Sequence, residues 1–74
     1  EQRRIEAQRK ARIRELEELI AWLEKETAVL QDELTQEEVY TDYQLATEKT
    51  VKIEENSAKL EECYAEWETL QEEE

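Results

Sequence analysis

Close carboxylate pairs such as Glu54 and Glu55 are the first residues to test for acid–base chemistry. They need a cleft that raises one pKa above the other, and neighbours on an exposed helix have none, so they read as a solvated face. With no His and a single Cys, the sequence assembles neither a zinc site nor a Cys–His nucleophile. It has no Gly, hence no Gly-rich loop to cradle a phosphate. The chain is therefore expected to be non-catalytic, with no cofactor or metal residue of its own. Cys63 cannot form an internal disulfide, and with no signal peptide in view a reducing, cytoplasmic setting is expected. At the edge of a helix seam it would pack as a small apolar residue, a redox or metal role being the weaker reading.

The basic side chains offer a second chemistry. Arg3, Arg4, Arg9, Lys10 and Arg12 cluster near the start and are candidate phosphate contacts. A basic run leading into leucine heptads is how a basic-zipper DNA reader looks. This run lacks that motif's Asn and small residues, and its leucines have a partner within the same chain. The total charge of −12 also argues against a general nucleic-acid surface.

These groups must be held by helices. The chain has no Pro and no Gly, charged residues make up 43%, and Glu, Leu, Ala, Lys, Arg and Gln dominate. No apolar run approaches the length of a membrane span. Ile13, Leu16, Ile20, Leu23, Thr27, Leu30 and Leu34 alternate at four and three residues, the a/d spacing of a packing helix. Tyr43, Ala46, Thr50, Ile53, Ser57, Leu60, Tyr64, Trp67 and Gln71 repeat that spacing. Between the stripes, Thr35 with Glu38 and Thr41 with Gln44 read as successive capping boxes, with Leu34–Val39 and Tyr40–Leu45 as staples. The expected fold is all-α, a two-helix antiparallel coiled-coil hairpin. Residues 1–74 form one domain: helix 1 over about 2–34, a tip over 35–41 and helix 2 over about 42–72.

A short connection makes the helices antiparallel. The register that suits both stripes sets Leu34 near Ala46, Leu30 near Thr50, Thr27 near Ile53 and Leu23 near Ser57. It continues with Ile20 near Leu60, Leu16 near Tyr64 and Ile13 near Trp67. At its flanks Leu19 falls beside Cys63, Leu70 beside Arg12, Lys10 beside Glu68 and Glu33 beside Lys49. It also sets Glu17 against Glu61 and Glu24 against Glu54. Residues 1–14 carry six bases against two Glu, or +4, and residues 61–74 carry seven Glu and no base, or −7. Folding back lays one on the other. Exposed ion pairs are worth only about 0.2–1 kcal/mol each, so they select orientation while the apolar seam carries stability. Trp22 and Val29 lie off the seam, either as stray exposed residues or, with Tyr40 at the tip, as candidate partner contacts. Tyr64 and Trp67 read as core.

The basic entry helix, the acidic tip Glu37-Glu38-Val39-Tyr40-Thr41-Asp42 and the closing stretch Leu60-Glu61-Glu62-Cys63-Tyr64-Ala65-Glu66-Trp67-Glu68-Thr69-Leu70 resemble a known family. It is the C-terminal coiled-coil domain of ABC-F ATPases, Uup-like proteins included. One departure is Thr35-Gln36-Glu37, where the family often carries a Pro before the tip Tyr. The resemblance implies a cytoplasmic parent with two ATP-binding cassettes, no membrane domain, and ATP and Mg bound outside these residues. It implies action on ribosomes, or DNA binding as in some Uup-like tails. The expected role is an interaction arm that contacts the ribosome or the parent's ATPase domains, as a monomer or weak homodimer. The alternative is a DNA-binding appendage using the basic arm.

Overall fold

A computed structural model describes residues 1–72, so Glu73 and Glu74 of the acidic stretch lie outside it. The described residues form three helices and no strand: α1 over Gln2–Glu33, α2 over Glu37–Tyr40 and α3 over Tyr43–Glu72. The long helices α1 and α3 pack along each other and α2 packs against α3, giving a rod of 57 × 14 × 14 Å. Contacts between distant residues run in opposite chain directions. Arg12 meets Glu66 at one end, Glu26 meets Asn56 in the middle, and Glu33 meets Lys49 near the connection. In each of the three contacts the residue numbers sum to between 78 and 82, the axial register that the two stripes call for.

α1 presents the expected face. Leu16, Ile20 and Leu23 are buried, and Ile13, Thr27, Leu30 and Leu34 are half-buried. The α3 face is turned by one residue at alternate positions. Ala46, Ile53, Leu60 and Trp67 face inward as expected, but between them stand Lys49, Asn56, Cys63 and Leu70, not Thr50, Ser57 and Tyr64; at the far end Gln71 is half-buried beside Leu70. Asn56 and Cys63 are buried, while Thr50, Ser57 and Tyr64 are exposed and Tyr43 is 85% exposed. The reason is that a set seven residues apart fits two heptads, completed either three or four positions on. The observed phase covers Cys63 and Leu70 with the core cluster and keeps the Tyr64 hydroxyl at the edge, where it donates to Glu24.

That choice places polar side chains in the seam, Lys49 against Glu33 near the connection and Asn56 in the middle layer. The Asn56 side chain donates to Glu26 Oε1 at 2.8 Å, yet its Oδ1 and the facing Thr27 hydroxyl are buried with no hydrogen-bond partner among the described residues. A buried acceptor left unmade costs about 1–3 kcal/mol. The Asn56 layer is therefore costly in energy and specific in geometry.

The connection also differs by one position from the expected caps. Thr35 donates its hydroxyl back to Asp32 O at 2.6 Å, and Thr41 donates to Glu37 O at 2.6 Å, so neither caps the helix that follows it. Gln36 stands at the N-cap of α2 without a side-chain cap bond. Asp42 starts α3, its carboxylate accepting from the Leu45 amide at 3.1 Å. A carboxylate satisfies that orphan donor and also sits at the positive end of the helix dipole, an advantage a hydroxyl lacks. Val39 is buried, as a residue stapling the connection requires. Tyr40 is 58% exposed. No residue in the connection has positive φ, which explains how a chain without glycine reverses direction.

Candidate functional site

The two edges of the seam carry different chemistry. On one edge Arg12, Leu19, Glu26 and Glu33 follow one another at seven-residue steps along α1. Arg12 makes a two-pronged contact with Glu66, Nε to Oε2 at 2.7 Å and Nη2 to Oε1 at 3.0 Å. That contact raises the Arg12 pKa and holds the Glu66 carboxyl below its ordinary value, the hydrogen bond being the larger cause and the charge the smaller. Glu33 accepts from Lys49 Nζ at 2.9 Å. On the other edge Glu24 accepts from the Tyr64 hydroxyl at 2.6 Å and Glu17 from Trp67 Nε1 at 3.2 Å. The bond to Glu24, then desolvation, pushes the Tyr64 phenol above its usual pKa. So Glu17 and Glu24, which the register sets near other carboxylates, are each held by a neutral aromatic donor.

Of the candidate phosphate contacts, two are engaged within the rod. Arg12 is paired with Glu66, and half-buried Arg9 donates from Nη1 to Leu70 O at 3.1 Å. Arg3, Arg4 and Lys10 are exposed at the open end. The expected cluster of five is thus divided between the interhelical contact and solvent.

The candidate partner contacts fall in two places. Trp22, 56% exposed, and Val29, half exposed, are one heptad apart on the outer side of α1. Trp22 borders a groove of about 370 Å³ beside Leu19 and Cys63, flanked by Arg12 and Lys59. Tyr40 belongs to a second surface. With Tyr43, Thr47, Thr50, Val51 and Glu54 it lines a depression of about 420 Å³ at the tip. Tyr43 and Val51 escaped the sequence reading because Tyr43 completes the wrong heptad phase as well as Leu or Ile would. Testing the second phase against Cys63 and Leu70 would have found it.

Among the described residues no group of three or more His, Cys, Asp or Glu side chains could hold a metal ion, and no helix is long and apolar enough to cross a membrane. What the geometry defines is an all-α helical rod with exposed aromatic side chains at its tip and along one flank. Residues 1–72 match the family described as the ABC transporter C-terminal domain, and the chain belongs to that family. It is thus a non-catalytic C-terminal domain of an ABC-type protein. No curated protein and no solved structure matches it.

Proposed function

We propose that the domain is the C-terminal hairpin arm of a cytoplasmic ABC-F ATPase, and that it contacts the ribosome or the parent's own ATP-binding domains. In this reading residues 1–74 act as one unit, an antiparallel coiled coil that works as a monomer, and ATP and Mg belong to cassettes outside it. The observation that carries the reading is the placement of the tip tyrosines. In a chain whose aromatic residues make up only 7%, Tyr43 is 85% and Tyr40 58% exposed at the far end of the rod. Aromatic side chains left in solvent are what a contact surface uses.

The test is co-sedimentation of the chain with ribosomes, beside a pull-down with the parent's isolated ATP-binding domains. Retention by either, lost in the Tyr40→Ala, Tyr43→Ala double variant, is expected. Retention by neither would end the proposal. The nucleic-acid reading is weakened because Arg9 and Arg12 are engaged with α3. A gel shift with duplex DNA at about 150 mM salt should show no retained complex, since the exposed Arg3, Arg4 and Lys10 offer few phosphate contacts and such contacts weaken steeply with salt. A complex that persists there would restore it.

A further inference from the structure

The tip surface has a chemistry of its own, separate from the flank around Trp22. Two tyrosine rings stand exposed beside the half-exposed Val51, over a depression that Glu54 borders. Residues 36–54 hold Glu37, Glu38, Asp42, Glu48 and Glu54 against Lys49 and Lys52, or −3. Lys49 is committed to Glu33 at 2.9 Å, so it does little to offset that charge. Aromatic faces bordered by a carboxylate, in a segment of net negative charge, suit one kind of side chain above others. A guanidinium stacks flat on a phenol ring and at the same time donates two parallel hydrogen bonds to a carboxylate. An ammonium is a compact hydrated charge and uses only part of this surface. A phosphate backbone is repelled by it.

We propose that the tip, through Tyr40, Tyr43 and the bordering Glu54, docks an arginine-rich segment of a partner protein. This deepens the reading of the domain as an interaction arm and rests on it. The arm would present a cation-accepting surface to a basic protein, and the tyrosines would supply the preference for arginine over other basic side chains.

The experiment is a fluorescence anisotropy titration of the 74-residue chain into labelled nona-arginine, nona-lysine and an uncharged Gly–Ser peptide at physiological salt. Because Tyr40→Ala and Tyr43→Ala leave net charge unchanged, they separate ring stacking from attraction to a polyanion. Both sites are exposed, and an unchanged helical circular dichroism spectrum will verify that the variants fold. Two stacking contacts make the double variant weaken arginine binding by about tenfold, while Tyr43→Phe, which keeps the ring, retains it. Nona-lysine should bind more weakly than nona-arginine, and less sensitively to the substitutions. Arginine binding that ignores the double substitution would overturn the proposal. So would equal affinity for nona-lysine, or tighter binding of a structured RNA hairpin included as a fourth probe. Ribosome or cassette retention without arginine-peptide binding would overturn this proposal and leave the arm reading standing. Loss of both retentions would remove the arm itself.

Discussion

Arg12 and Glu66 are 54 positions apart in sequence and meet through two short hydrogen bonds. Because the pair holds the Glu66 carboxyl below its ordinary value, its contribution is present above the unfolded carboxylate pKa and is lost as pH falls through the depressed folded value. Glu66→Gln should therefore lower Tm slightly at pH 7 and leave it unchanged at strongly acidic pH. A Tm difference that persists undiminished in acid would refute the assignment. Tyr64 works in the opposite sense. Its raised pKa makes the bond to Glu24 a contribution present below the ordinary phenol value and lost as pH rises through the raised one. The polar layer makes a sharper prediction. Asn56→Leu removes a buried unsatisfied acceptor and fills the seam, and should raise stability by about 1–2 kcal/mol in a urea or thermal melt. Ser57→Leu, on the exposed side, should change it by less than about 0.5 kcal/mol. If Ser57→Leu were the stabilising one, the seam would have the other phase. Asn56→Leu should also loosen specificity, seen as additional species in sedimentation velocity, since a buried amide restricts which layers can pair.

At the scale of the helices, the sequence stated some features plainly and others ambiguously. The α1 stripe was legible because Leu16, Ile20, Leu23 and Leu30 are large and aliphatic and only one heptad phase fits them. Leu23→Ala should cost about 3 kcal/mol in a denaturant melt, since that side chain is almost wholly covered, whereas Val29→Ala should be nearly neutral. The α3 stripe was not legible in full. Its alternate positions are Lys49, Asn56, Cys63 and Leu70 in one phase, and Thr50, Ser57, Tyr64 and Gln71 in the other. Neither set is uniformly apolar, and only packing against α1 chooses between them. The caps failed for a related reason. Thr35, Thr41 and Asp42 all have cap-forming side chains, and the choice turns on which residue leaves the helix, not on side-chain type. Trp22, Val29 and Tyr40 are exposed as their positions off the stripes implied, while Tyr43 was hidden by its fit to the wrong phase.

For the molecule as a whole, charge sets the response to solution conditions. Twenty-two acidic residues against ten basic ones repel one another, and pairs such as Arg12–Glu66 and Lys49–Glu33 relieve part of that repulsion. Added salt screens the long-range repulsion more than it weakens short contacts, so Tm should rise between low and physiological ionic strength. A steep fall would mean that the ion pairs dominate. The same repulsion opposes self-association, and Tm should be independent of chain concentration in the micromolar range. Length has a mechanical meaning too. Clamped at its open end, a stiff rod 57 Å long acts as a pointer: swivelling the clamp by about ten degrees swings the tyrosines through roughly ten ångströms, about the width of one helix. A partner gripping that far end would therefore sense small rotations made at the other.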